Sequence, residues 1–383
     1  MAIRWNITQI APSEFTERGT AGPAVAVSQR PAAPRVAAVV AVRRLAAFFL
    51  VCVAALYATD RGIDAGLRRI QTSDFGIFNR LVSGHINAEI LITGSSRALS
   101  HYDSRIIQQA TGYETFNIGL NGSQTDMQLA VLKTYLRHNR RPSLLVHNLD
   151  SFAFETTHQA AFFPGLYLPY LNEEPLYETL EHIDRNIWKS KQLPLYGYAV
   201  EDMNFTWLAG LGGLIGWNPP ENRRLGFEPR YTSWTGDFES FKRRNPDGIR
   251  FPIEPEGIAV FEALLRLCRE LGIPVILVYS PVYHQMRALE RNREEVFARL
   301  HELAERYGAS LWDFGGSPIA LDRAYFYNSQ HMNADGAARF SEDLAEALVH
   351  AEWVKPKTVQ PSVPRRHGAF AGTRPFRPAD DRQ

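Results

Sequence analysis

From about residue 87 onward, short apolar runs alternate with segments whose apolar positions recur every three to four residues. The runs predict strands at 88–93 (AEILIT), 115–118, 143–148 (SLLVHN), 274–279 (PVILVY) and 310–313. Between them the helical period predicts helices at 104–111, 124–138, 255–271 and 286–307, with a closing helix at 335–350. Strands that alternate with helices call for right-handed crossovers, hence one parallel sheet covered by helices on both faces. In such sheets chemistry gathers at the carboxyl ends of the strands.

Two stretches break this rhythm. Residues 45–58 (LAAFFLVCVAALYA) are uncharged and strongly apolar, and Val36 to Val42 extend the run if Arg43 and Arg44 snorkel toward a headgroup layer. A secretory signal peptide and a buried core helix are the alternatives. The end of the run, Leu56-Tyr57-Ala58, makes a poor cleavage site, so an uncleaved anchor over 36–59 is preferred. Arg30, Arg35, Arg43 and Arg44 precede the apolar stretch 45–58 and Asp60 follows it, which places the N-terminus in the cytoplasm and exports the rest, as a single-pass inner-membrane protein with a periplasmic or extracytoplasmic domain. The second interruption, residues 152–248, holds four of the seven tryptophans and reads as an insertion or cap. Its most apolar part, WLAGLGGLIGW at 207–217, is too short and glycine-rich to span a bilayer. Packing onto the sheet is the simpler reading of its aromatics; stacking on sugar rings or forming a lid is the other.

The expected organisation is a disordered tail over 1–35, the anchor, a linker over 60–86, a catalytic-type domain over 87–354 and a basic disordered tail over 355–383. That last tail carries seven Lys or Arg against two Asp, and is read as solvated chain. Over all 383 residues, 42 basic against 41 acidic side chains give a net charge of +1, which removes the electrostatic footprint of a nucleic-acid binder. Two cysteines cannot build a disulfide framework or a four-cysteine zinc site. Neither a His-Glu-x-x-His motif nor a glycine-rich phosphate loop is present, so no metal or cofactor is expected.

Three segments fall at predicted strand ends. Gly94-Ser95-Ser96-Arg97 follows the first strand, and a serine at a strand-to-helix turn exposes its hydroxyl beside the open amides of the helix start; Ser96 is the candidate nucleophile. A capped turn is the plainer reading of the same residues. Asn117-Ile118-Gly119-Leu120-Asn121-Gly122 follows the second strand; the Gly119 amide is a candidate oxyanion donor, or the segment is a plain Asn/Gly turn. Asn328-Ser329-Gln330-His331 precedes the last helix and offers His331 as the general base that a serine nucleophile requires.

Together, GSSR, NIGLNG and H-x-N-x-x-G resemble the SGNH (GDSL-like) hydrolase superfamily over roughly residues 87–350. Within it the chain is most similar to membrane-anchored proteins of bacterial envelope and exopolysaccharide biosynthesis, the DltD-like and alginate-acetylation groups. The resemblance implies a three-layer α/β/α flavodoxin-like sandwich, with Ser96 as nucleophile, Gly119 as oxyanion glycine and His331 as base. The family's Gly-x-Asn-Asp block corresponds to His147-Asn148-Leu149-Asp150, which makes Asn148 the oxyanion asparagine. The family's Asp-x-x-His corresponds to Asn328-x-x-His331, so either Asn328 orients the base or Asp150, Asp313 or Asp322 does so from another loop.

Two functions follow as expectations. One is a serine acyl-ester hydrolase or O-acetyltransferase acting on a cell-envelope or exopolysaccharide glycan, working beside membrane proteins of polysaccharide biosynthesis. The other is an inactive SGNH-like binding or assembly component of such a complex.

Overall fold

The computed structural model describes residues 34–157, 161–200 and 205–357. Both expected tails, apart from the few residues inside these limits, lie outside the described residues. The chain begins with helix α1 (Pro34–Leu67) and continues with α2 (Ser73–Val82), β1 (Ile90–Thr93), α3 (Ser96–His101), α4 (Ser104–Thr111), β2 (Thr115–Asn117), α5 (Thr125–His138) and β3 (Leu144–Asn148). Short helices α6 (Glu174–Ile183), α7 (Ile187–Gln192), α8 (Tyr196–Val200), α9 (Thr206–Leu214) and α10 (Asp237–Arg244) occupy the expected insertion. The sheet resumes through α11 (Pro255–Glu270), β4 (Val275–Tyr279), α12 (His284–Arg287), α13 (Arg293–Tyr307) and β5 (Ser310–Asp313), and α14 (Ala334–His350) closes the fold.

All five strands are parallel, in the order β2-β1-β3-β4-β5. Alternate side chains divide between two cores, as the strand period of two requires. Leu91, Leu145, Leu277 and Tyr279 face one side, where α2, α5, α11 and α13 pack. Ile90, Ile92, Val146, Ile276 and Val278 face the other, where Ala98 of α3, Ile107 of α4 and Phe340, Leu344 and Leu348 of α14 cover them. The result is a three-layer α/β/α sandwich. Central strands buried on both faces read as the continuous apolar runs seen in the sequence.

The chain divides into two units at Val53, and residues 34–53 are described only as helix. Ala38–Leu67 is long and apolar enough to cross a membrane. Residues 60–86, expected as a linker, are instead mostly helical. Ile63 and Leu67 on α1, Ile70, and Phe75, Phe78 and Leu81 on α2 are buried in the first core. The apolar run stops at Asp60, but the helix carries a second, amphipathic stretch beyond it.

Candidate active site

Because β2 and β3 leave β1 in opposite directions along the sheet, the carboxyl ends of β1 and β3 border a topological switch point. Ser96 opens α3 there. Gly94 turns the chain at φ +137°, and a Cβ on it would meet the Asn148 Cβ at 2.9 Å, so the sharp turn and the close approach of β3 both require glycine. Ser95 caps the helix, its hydroxyl accepting from the Arg97 amide at 3.2 Å. As the first helical residue, Ser96 has an amide with no partner in the preceding turn.

The Ser96 Oγ lies 2.8 Å from the His331 Nε2, a bond between residues 235 positions apart. On the other side of the ring, His331 Nδ1 is 3.0 Å from Asn328 Oδ1. That same oxygen accepts from the backbone amides of Gln330 at 3.0 Å and His331 at 2.9 Å. Backbone N–H groups only donate, so the atom facing them is the amide oxygen, and the ring nitrogen beside it must carry the proton. His331 therefore presents an unprotonated Nε2 to the serine, the tautomer a general base needs. Tyr327 stacks on the ring at 5.4 Å between centroids and 16° between planes.

Of the four groups able to orient His331, the structure brings Asn328 to the ring. Asp150 is buried against Arg97 at 3.4 Å, Asp313 pairs with Arg293 at 2.6 Å, and Asp322 caps the turn at Ala324 at 2.9 Å. Burial holds the His331 imidazole down at about 4, with the Arg97 and Arg230 guanidinium groups adding to the effect. The imidazole is thus neutral at neutral pH and only weakly basic.

The two expected oxyanion donors beyond Ser96 are placed differently. The Gly119 amide donates to the side chain of Asn117 at 2.8 Å. Its glycine identity serves packing, since a Cβ there would lie 2.6 Å from the backbone nitrogen of Leu99 on α3. Asn148 is buried, and its Oδ1 accepts from the Tyr102 hydroxyl at 2.8 Å and the Ser280 hydroxyl at 2.9 Å. Its amide group faces the Leu149 carbonyl at 3.2 Å and Asp150 at 3.4 Å. Both groups are therefore engaged inside the protein, because neighbouring side chains reach them first.

Beneath Ser96 lies a polar cluster that the sequence reading did not assemble. Arg97 donates to the carbonyl and hydroxyl of Ser280 and to the Leu149 carbonyl at 3.2 Å, and its guanidinium lies 4.5 Å from the Tyr279 ring centroid. His101, fully buried, accepts from the Met332 amide at 3.0 Å through Nε2, so its Nδ1 donates to Ser280 Oγ at 2.8 Å. Burial keeps its pKa well below the ordinary value. These bonds tie α3 to the end of β4 and to the loop carrying His331. The only sequence signal for Ser280 was its place directly after a strand; His101 had none, being one histidine among 11.

Among the described residues no group of three or more His, Cys, Asp or Glu is arranged to hold a metal ion.

No family model matches the sequence, and no curated protein matches it. Among solved structures, the chain is similar to a "putative acylhydrolase" from Bacteroides fragilis, at 10% identity over 69% of this chain and 86% of that one, with a TM-score of 0.33. It is also similar to a GDSL-like lipase from Bacteroides thetaiotaomicron, at 8% identity over 67% of this chain and 87% of that one, with a TM-score of 0.29. What the site can do chemically follows from its own geometry.

Proposed function

We propose that the protein is a serine acyl-ester hydrolase or O-acyltransferase, with Ser96 as nucleophile, His331 as general base and Asn328 as its orienting partner. The 2.8 Å Ser96–His331 bond carries this reading, since it joins two residues from opposite ends of the domain at the strand ends. In the first half-reaction His331 Nε2 takes the serine proton as Oγ attacks the ester carbonyl. The imidazolium then protonates the departing alcohol, leaving an acyl-serine. The Ser96 amide is the donor positioned for the oxyanion; Asn328 orients the ring without neutralising its charge. Water as second acceptor releases the carboxylic acid and restores the Ser96 hydroxyl, whereas a sugar hydroxyl restores it by taking the acyl group as a new ester.

The apolar N-terminal helix supports membrane anchoring with an exported domain, and the resemblance to envelope-polysaccharide proteins suggests a glycan ester as substrate. Partners from polysaccharide biosynthesis belong to the same proposal. A second reading has its own observation: an orienting asparagine, a weak base, and Gly119 and Asn148 engaged internally also suit an SGNH-like binding or assembly component.

The full chain in detergent or vesicles decides between them. Turnover of p-nitrophenyl acetate and labelling by a fluorophosphonate are expected for the wild type and expected to vanish in Ser96→Ala and His331→Ala. A folded wild type that neither turns over nor labels would exclude the enzyme and favour the binding component.

A further inference from the structure

Helix α9, with the sequence TWLAGLGGL, contains no charged residue. One side is accounted for: Thr206, Gly210 and Gly213 are buried, and Trp207 packs partly against the first core. The other side is not. Leu208 is 53% exposed, Leu211 42%, and Ile215 87%, with Phe205 and Trp217 exposed at either end. A surface helix normally sets polar residues opposite its buried stripe. Among the described residues, twelve large hydrophobics outside α1 are exposed, and nine of them fall between residues 188 and 217. Scattered exposure needs no explanation, whereas such a concentration marks an interaction surface.

The position of this surface identifies its occupant. The segment is fastened, step by step, to the last turns of α1. The Tyr57 hydroxyl donates to the Gln192 carbonyl at 3.0 Å, Asp60 accepts from the Leu195 amide at 2.9 Å, and Asp64 accepts from the Tyr198 hydroxyl at 2.6 Å. Higher up, the backbones touch: a Cβ on Gly66 would lie 1.7 Å from the Gly210 carbonyl oxygen, and one on Gly213 would lie 2.1 Å from that of Gly66. Arg69 then donates to the Leu214 carbonyl at 3.3 Å. Charge first enters the helix after the apolar run at Asp60 and Arg61, which marks the hydrocarbon edge. At ~1.5 Å rise per residue, the collar runs from roughly 5 Å on the hydrocarbon side of that edge at Tyr57 to about 14 Å beyond it at Arg69. That range takes in the headgroup layer, about 5–8 Å deep on each side, where amphipathic elements bury an apolar face and Trp and Tyr concentrate.

We propose that the outer face of α9, together with the exposed apolar residues of α7, α8 and the turn to Trp217, seats in the headgroup layer of the bilayer that α1 crosses. The inference rests on reading α1 as a membrane anchor. It assigns a lipid surface as the partner of the exposed Trp188 and Trp217, while Trp207 and Trp234 pack against the two cores.

The test uses the full-length protein in phosphatidylethanolamine/phosphatidylglycerol vesicles, with nitroxide labels at single cysteines. Cys52 is replaced by Ser; Cys268 is buried, with its thiol pushed up to about 12, and stays unlabelled. Labels at Leu211→Cys and Ile215→Cys report the collar, Val51→Cys reports the anchor, and Glu346→Cys on α14 is the aqueous reference; all four sites are exposed, so the labels do not disturb packing. Collar and anchor labels are expected to collide with dissolved oxygen at least fivefold more, relative to an aqueous nickel complex, than the Glu346 label does. A lipid-like ratio at 51 with water-like ratios at 211 and 215 would overturn the collar while leaving the anchor intact. Water-like ratios at all three would overturn the anchor and the collar with it. Collar labels shielded from both reagents would show a protein partner, such as a second copy, and would likewise overturn the lipid assignment.

Discussion

Asn328 fixes the ring of His331 in the candidate site. Its oxygen holds the Nδ1-protonated tautomer of His331, and in the proposed mechanism it would supply no charge to the imidazolium formed during attack. For the wild type, with the base held at about 4, kcat/KM for an aryl ester is expected to rise with pH through that value and stay flat above it, because the neutral ring is the active form. Asn328→Asp places a carboxylate against Nδ1. The rising limb should then move upward in pH, and the plateau rate should increase by about tenfold or more, toward the ~10⁴-fold that the reverse change removes in a serine protease. A pH–rate profile of both proteins checks this; an unchanged plateau would mean that charge at this position is not limiting. Ser96 could be singled out in the sequence because it directly follows a strand, and Asn328 and His331 because they lie in the loop just before the last helix. The engagement of Gly119 and Asn148 could not, since it depends on Asn117, Tyr102 and Ser280, whose side chains meet them only after folding.

At the scale of elements, α3 is the part that must not move. It is gripped by Gly119 on one side, where the loop after β2 lies against Leu99, and by the Arg97 and His101 bonds to Ser280 beneath. Gly119→Ala forces a Cβ into that contact and is expected to displace Ser96. A shift approaching 1 Å should slow fluorophosphonate labelling by about 100-fold while leaving the far-ultraviolet circular dichroism unchanged. The junction of α1 and α9 is a second such contact. Gly66→Ala is expected to loosen α9, at a cost of about 1–3 kcal/mol, and to speed amide hydrogen exchange over 206–214 by about tenfold or more, with β1 to β4 unaffected. Strand and helix positions were readable to within one or two residues over most of the α/β region, because buried parallel strands and amphipathic helices have distinct periods. The stretch 60–86 was not, because Ile63, Leu67 and Ile70 are spaced for a helix face but hidden behind charges that resemble a linker.

For the whole molecule, buried neutral histidines set the acid limit of stability. His147 sits at the centre of the sheet, bonded to the Thr93 hydroxyl at 2.9 Å and packed edge-on to Phe261, and burial lowers it to about 4; His101 is lowered as well. Unfolded histidine takes up a proton near its ordinary value, so below about pH 6.5 the unfolded state binds more protons than the folded one. The stabilising effect is present above that pH and declines as the pH falls toward 4, by about 1.4 kcal/mol per pH unit for each such residue. Denaturant titrations between pH 7 and 5 should show this slope, and His147→Leu should reduce it by about one proton while lowering stability at pH 7 through the orphaned Thr93 hydroxyl. The order in which the chain is made matters too. The last turns of α1 are among the first parts of the domain to be synthesised, yet Arg69 finds Leu214 only 145 residues later. At the usual ~5–20 residues per second, Ile63 waits roughly 7–30 s for Gly210, against which it packs. Nascent chains of this protein thus pass through a long interval with an apolar helix face uncovered, and a holding chaperone would find its target there, at the N-terminal edge of the domain, before the catalytic-type sheet has closed.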